Sequence, residues 1–351
     1  LLFRKPKSVV GLDIGSSAVK AVELKASAGA YKVTAFGSHP VPPDSIVDGS
    51  IIDAPAVAEA IRRLFAASGI RTRDVVASLS GNAAIVKKIV LPEMTDEELA
   101  QSIYWEAQQY IPFDIQDVTL DYQVMEGLEE SARGTMDVVI VAAKKDRIAD
   151  CAGVIAQAGR VAVVMDVDAF ALQNVYEINY GARRDAIVVL LNIGASAITV
   201  NIVCGKQSIF TRDISIGGNA YTEVLQKELG LSFESADALK RGAEVDGLRF
   251  PDAEPALRTV TEHVLLEIQK TFDFFKATAA SDRFDRIMLS GGGSRIPHLA
   301  DAIADRFETP VDLLDPFRRV AIDPQRFGDP VEIGPLAAVA VGLALRKPGD
   351  R

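Results

Sequence analysis

Cysteine is nearly missing from this chain: two in 351 residues, Cys151 and Cys204. Two thiols cannot build a disulfide framework, and they fit a reducing, cytoplasmic setting. The three histidines, His39, His263 and His298, are scattered, so no Cys/His set has the spacing of a metal site. A basic excess is also absent. Lys and Arg number 38 against 48 Asp and Glu, a net charge of -10, which argues against a surface that tracks nucleic-acid phosphates. Long apolar runs are missing too. The nearest, from Ala186 to Val203, is interrupted by Asn192, Gly194, Ser196, Thr199 and Asn201. It reads as two buried strands joined by a Gly turn, so no insertion into a membrane is expected. The opening LLFRKPKS lacks the apolar stretch and cleavage site of a secretory signal.

What is present is an ordinary globular mixture, 48% hydrophobic and 25% charged, long enough for two domains. One motif is written twice. LDIGSSAVK begins at Leu12, and LNIGASAIT begins at Leu191. Each opens a run of three strands followed by mixed β and α elements, the mark of an internal duplication. Between about 82 and 145 lies a separate β-α-β-β module. Its strand AAIVKKIVL leads to a helix opened by a Thr95-to-Glu98 capping box, and its last two strands are joined by the polar linker EGLEESARG. The expected domains are 8–81 with 146–184 and 333–346, an insertion at 82–145, 185–225 with 280–332, and a helical subdomain at 226–279. Helices are expected at about 218–229, 233–243, 254–278 and from Ile296 onward. The aromatics Phe272, Phe274 and Phe275 of the 254–278 helix read as core.

The repeated turns suit anions. Gly15 and Gly194 permit a tight reversal, and the small Ser16, Ser17 and Ala195 let a phosphate approach backbone N–H groups. Asp13 can order the water shell of a Mg²⁺, and Lys20 supplies a compact positive charge. Two further loops join strand to helix: SIGG, with Gly217 and Gly218, and SGGGS, with Gly291, Gly292, Gly293 and Ser294. Both are suited to packing against a nucleotide.

In order and spacing these motifs resemble the phosphate and adenosine loops of the actin, Hsp70 and sugar-kinase superfamily. The resemblance implies an α/β fold of duplicated actin-like (ribonuclease H-like) domains around a nucleotide cleft, with ATP and Mg²⁺ as cofactors. It implies that Asp13 acts on Mg²⁺ through water. It also implies that Asp237, Lys240 and Arg241 of DALKRG border adenine. The insertion lies where FtsA-like proteins carry their distinctive subdomain. Within it WEAQQYIPF, Trp105 to Phe113, is similar to a stretch of the PilM family of type IV pilus assembly proteins, as are LPEM, LDYQV and IDPQRF. That resemblance implies a cytoplasmic scaffold, peripheral on the inner membrane through its partners. The partners implied are the N-terminal cytoplasmic peptide of PilN and other platform and motor components, and a homo-oligomer is compatible with it. Ile89, Leu91, Tyr104 and Tyr110 are the expected peptide-groove residues.

Asp166 in VVMDVDAF is the expected water-positioning residue, with a helix cap as its alternative role. Asn192 stands where ATP-hydrolysing relatives carry an acid, so nucleotide binding with weak or absent hydrolysis is expected. Two alternatives share the fold. A small-molecule kinase would usually keep the acid at position 192. An FtsA-like division scaffold would be expected to continue past KPGDR into a membrane-binding helix.

Overall fold

The computed structural model describes residues 8–27, 29–80, 83–125, 134–183, 185–278, 283–347 and 349. The segment LLFRKPK, the Gly81–Asn82 turn and nearly all of the linker EGLEESARG lie outside the described residues.

The chain opens with β1 (Val10–Ile14), β2 (Ala18–Ser27) and β3 (Ala30–Pro40), then the short β4 (Ile46–Val47) and β5 (Ser50–Ile51). Helix α1 (Ala54–Ser68) and β6 (Asp74–Leu79) follow. Asp53 caps α1 by accepting from Ala56 N at 3.0 Å, and Gly69 ends it in the left-handed region. The insertion is β7 (Ala84–Pro92), α2 (Asp96–Gln108), β8 (Val118–Val124) and β9 (Thr135–Lys144). Its capping box forms as read: Thr95 Oγ1 accepts from Glu98 N, and the Glu98 carboxylate accepts from Thr95 N. Then come α3 (Lys145–Gln157), β10 (Val161–Val167) and α4 (Asp168–Tyr180). The second half repeats the plan with β11 (Ile187–Ile193), β12 (Ile198–Cys204) and β13 (Gln207–Ile214), followed by α5 (Gly218–Leu229), α6 (Phe233–Leu239) and α7 (Phe250–Thr278). It continues through β14 (Arg286–Ser290), α8 (Leu299–Phe307) and β15 (Val311–Leu313), and closes with β16 (Val320–Ala321), α9 (Pro324–Phe327) and α10 (Pro330–Ala344).

The duplication is written in the sheets. The first has the order β10-β6-β1-β2-β3-β16 and the second β13-β12-β11-β14-β15. In the first, β1 pairs antiparallel with β2 and parallel with β6. In the second, β11 pairs antiparallel with β12 and parallel with β14. The two repeated motifs therefore occupy equivalent hairpins at the centres of equivalent sheets.

Helices α4 and α10 fill the space between the lobes. Their Leu172, Val175, Val341 and Leu343 share one core with Val22 and Val76 of the first sheet and with Val188, Leu190 and Met288 of the second. Burying each such side chain contributes about 1.5–3 kcal/mol. The approach is close enough to demand glycine. A Cβ on Gly342 would lie 1.9 Å from Ala171 O, and one on Gly11 would lie 2.0 Å from Ala340 O.

Several boundaries differ from the sequence expectation. Helix α7 starts at Phe250, where Arg249 N is bonded to the Asp252 carboxylate at 2.8 Å and Pro251 fits the first turn, and it runs on through Pro255. Helix α6 ends at Leu239, and α8 starts only after His298, which takes a positive φ of 63°. Phe272 and Phe275 are buried as expected, but Phe274 is exposed on the other face of α7.

Candidate functional site

The two repeated turns close in the same way. Gly15 N donates to Ala18 O at 3.2 Å, and Gly194 N donates to Ala197 O at 2.9 Å. Each bond reverses the chain in a tight turn. The N–H groups of Ser16, Ser17, Ala195 and Ser196 have no protein partner among the described residues. The turns also meet: Ser16 Oγ donates to Ser196 Oγ at 2.9 Å. Two turns with unpartnered N–H groups among the described residues, one from each lobe, thus meet, the arrangement of an anion-binding nest.

The remaining glycine loops are packed around the second turn. Gly218 N donates to Gly194 O at 2.9 Å and Asn219 N to Ala195 O at 2.8 Å. A Cβ on Gly217 would sit 2.6 Å from the carbonyl oxygens of Gly194 and Ala195. Gly291 has a φ of 82°, and a Cβ there would lie 2.3 Å from Ile193 O; one on Gly293 would lie 2.3 Å from Ile193 Cγ2. Ser294 Oγ donates to Gly291 O at 2.7 Å and closes that loop. The loop at Gly218 is fastened to α6 by Lys240, whose buried ammonium donates to Gly218 O at 3.0 Å and Thr222 Oγ1 at 2.7 Å. Lys240 also pairs with Asp237 at 2.7 Å, and Arg241 pairs with the same carboxylate at 2.7 Å. Burial lowers the Lys240 pKa, and the Asp237 carboxylate opposes that shift. The expected residues Gly217, Gly218, Gly291, Gly293, Asp237 and Lys240 thus converge on one rim of the cleft, with Arg241 beside them. Lys240 acts there as a clasp between α5 and α6.

Charge is unevenly shared. Lys20 Nζ pairs with Asp13 Oδ2 at 2.9 Å beneath the first turn. Below the second turn Asn192 Oδ1 accepts from Ser290 Oγ at 3.2 Å, a neutral tie to β14. Among the described residues no three acidic, His or Cys side chains converge closely enough to cage a metal. A Mg²⁺ held here would therefore rest on Asp13, water and phosphate oxygens. That donor set suits a cation that keeps much of its hydration shell.

Asp166 is not the acid that faces the cleft. Its carboxylate is buried and spent on Arg346 Nε at 2.7 Å and on Val167 N at 2.8 Å. Burial raises its pKa and the Arg346 guanidinium opposes the shift. The acid on the cleft side is Asp168, the first residue of α4. Burial, with the nearby Asp13 and Asp213 charges, pushes its carboxyl up to about 8, while a 2.5 Å hydrogen bond from Ser78 Oγ works against that. Asp168 lines a cavity of about 170 Å³ together with Thr199, Thr211, Asp213 and Val86. Asp213 was missed because a lone acid in the strand TRDISI reads as solvent-facing. The available signal was its register with the second hairpin, where Asp213 is the cross-strand neighbour of Thr199.

The expected peptide residues also divide. Ile89 and Leu91 are only 3% and 2% exposed and belong to the core that α2 makes with the three-stranded sheet, so neither lines a groove. Tyr104 is exposed, and Tyr110 is half-buried with Lys87 Nζ 5.1 Å from its ring centre. The crevice between the insertion and its parent lobe is built by other residues. Phe113, Asp114, Asp117, Lys144, Lys145 and Asp146 line a cavity of about 420 Å³. Lys144 lies over the Phe113 ring at 4.1 Å, and Lys145 Nζ donates to Gln116 O at 2.7 Å.

A family model described as type IV pilus assembly protein PilM matches residues 11–348. The chain belongs to that family. A solved structure described as the PilM-PilN type IV pilus biogenesis complex is 31% identical, with a TM-score of 0.86 over 97% of this chain and 99% of that one. The cell division protein FtsA of Enterococcus faecalis is 23% identical over 359 residues, covering 88% of this chain and 78% of that protein. The ethanolamine utilization protein EutJ of Carboxydothermus hydrogenoformans superposes with a TM-score of 0.57 at 17% identity, over 97% and 90% of the two chains. MreB5 of Spiroplasma citri bound to AMPPNP gives 0.51 at 13% identity, over 97% and 95%. The last two establish the fold, duplicated actin-like domains, and the family match places the chain among pilus assembly proteins. Among the described residues no helix is long and apolar enough to cross a membrane.

Proposed function

We propose that this member of the family is an ATP-binding scaffold of the pilus assembly platform. In this reading the cleft holds Mg²⁺-ATP with weak or absent hydrolysis, and the insertion docks the cytoplasmic N-terminal peptide of a PilN protein. The observation that carries the nucleotide reading is the Ser16–Ser196 contact at 2.9 Å, which sets two turns of unpartnered amides against each other. Polyphosphate oxygens would take those amides and Lys20, and bound Mg²⁺ would neutralise phosphate charge beside Asp13. Gly217, Gly218 and Gly291 to Ser294 would accept the nucleoside, with Asp237, Lys240 and Arg241 at its border. Asp168 replaces Asp166 as the acid that orients water. The low turnover follows from Asn192, which brings no charge to the second turn.

The peptide reading is supported by the likeness to a PilM-PilN complex and by the crevice at Phe113, Lys144 and Lys145. An extended segment can place alternate side chains in such a crevice. Held by such a tail, the protein would sit against the inner membrane and present its remaining surface to cytoplasmic pilus components. The test is titration of a synthetic PilN-tail peptide into the full chain with and without Mg²⁺-ATP, using wild type, Asp13→Ala and Lys144→Glu. Saturable peptide binding lost in Lys144→Glu supports the docking site, and nucleotide binding lost in Asp13→Ala supports the cleft. Peptide binding untouched by Lys144→Glu would move the docking site elsewhere.

A further inference from the structure

We propose that Asp213 is the acid of the second lobe, accepting the proton of the water that attacks a bound nucleoside triphosphate. This rests on the nucleotide reading above and assigns its slow hydrolysis to a particular group. The usual position for a second-lobe acid is taken by Asn192, whose side-chain oxygen is already held by Ser290 Oγ at 3.2 Å and lies against Gly291. Asp213 enters the same region from the neighbouring hairpin. It stands on β13 directly across from Thr199 of β12, three residues beyond Ser196 of the second turn.

Three observations single it out. Its carboxylate lies beside the side chain of Thr199, its cross-strand neighbour, which works to lower its pKa against burial. Its Oδ1 is buried and has no hydrogen-bond partner among the described residues. A buried carboxylate oxygen without a donor costs stability, and a polar molecule in the adjoining cavity would satisfy it. Asp213 and Asp168 line the same cavity of about 170 Å³, room for a few waters, with Asp168 contributed by the first lobe and Asp213 by the second. Asp168 Oδ1 already accepts from Ser78, whereas Asp213 Oδ1 accepts from no group among the described residues.

The step balances without any other reactant. The water oxygen forms a bond to the γ-phosphorus, and the bond from that phosphorus to the β,γ-bridging oxygen breaks. ADP leaves with the electron pair, and the water proton passes to Asp213 Oδ1 and then to solvent. A carboxylate held out of bulk water is a stronger base than an exposed one, which suits this transfer.

The test uses the full chain and compares affinities for ATP, ADP, and ADP with aluminium fluoride, which mimics the in-line transition state. Asp213→Asn keeps shape and the Thr199 contact but cannot take the proton. It should bind ATP within about twofold of wild type, lose about tenfold or more of the extra affinity for the fluoride complex, and slow hydrolysis by about tenfold or more. Its melting temperature should not fall. Thr199→Val leaves the carboxylate but replaces its polar cross-strand neighbour, and should lose part of the same increment, which keeps the idea testable if Asp213→Asn misfolds. An Asp213→Asn protein that keeps the full fluoride increment, or loses ATP affinity in the same proportion, overturns the assignment. Wild type that binds ATP without any fluoride increment overturns it too, leaving the nucleotide reading intact. No ATP binding by wild type removes both.

Discussion

The first and second hairpin turns share a backbone and differ in what lies under them. Beneath the β1–β2 turn is a charged pair, Asp13 and Lys20 at 2.9 Å. Beneath the β11–β12 turn is a neutral tie, Asn192 to Ser290 at 3.2 Å, surrounded by glycines that leave no room for a Cβ. Duplication thus produced one lobe that supplies charge and one that supplies close packing. The difference teaches that the two copies cannot be exchanged: the second turn is packed against glycine loops that admit no side chain, and the charged pair under the first has a neutral counterpart.

The sharpest break should come from a methyl group. Gly291→Ala places a Cβ 2.3 Å from Ile193 O at a φ of 82°, and should cost about 2–4 kcal/mol by overpacking and backbone strain. Gly15→Ala meets Ala18 O at 3.1 Å, with Lys20 Nζ at 3.4 Å and Asp13 Oδ1 at 3.8 Å at the ends of flexible side chains, and should cost under about 1 kcal/mol. Urea unfolding of the two variants reads the ratio directly, and equal losses would erase the packing half of the contrast.

Charge comes next. Lys20→Ala should weaken Mg²⁺-ATP binding by about 10- to 100-fold, the scale of a charge-assisted hydrogen bond of about 1.5–3 kcal/mol. Asn192→Ala should weaken it by no more than about tenfold, as a neutral bond would. Calorimetric titration separates the two, and a larger loss at Asn192 would invert the assignment of roles.

The acid between the lobes gives a pH test. In the folded chain Asp168 keeps its proton up to about 8, against an ordinary value of 3.8. Between those values the folded state binds more protons than the unfolded state, so the unliganded protein loses stability as pH rises from about 4 to about 8. Asp168→Asn should flatten that slope and be more stable than wild type at pH 8, by about 1 kcal/mol or more. Denaturant midpoints at pH 5 and pH 8 check it; an unchanged slope in the variant would place the titrating group elsewhere. The smallest effect is expected from the contact between the turns. Ser16→Ala or Ser196→Ala removes one half-exposed hydroxyl bond, worth about 1 kcal/mol at most, and should leave ATP affinity within about threefold.

Much of this fold can be read from the sequence because it is carried by local signals. The repeated hairpins, the Thr95–Glu98 box and the β-α-β-β order of the insertion each depend on a few neighbouring residues. The misplacements share a cause, which is facing. Asp166 and Asp168 lie two apart, and an extended segment sends both to one side; only the start of α4 at Asp168 decides which carboxylate reaches the cleft and which meets Arg346. Ile89 and Leu91 alternate correctly on β7, but alternation does not say that α2 covers their side. Phe274 differs from Phe275 by one helical step and so points to water, beside two neighbours that are core. Asp213 needs the cross-strand register of the β12–β13 hairpin, which its own strand pattern does not show.

The central claim is that both turns grip one ligand together. Its most direct test is titration of Mg²⁺-ATP into the isotope-labelled chain while following the amide signals of Ser16, Ser17, Ala195 and Ser196. All four should shift along a single saturation curve at one nucleotide per chain. Shifts confined to one turn, or no saturable shift at either, would contradict a clamp formed by the two lobes.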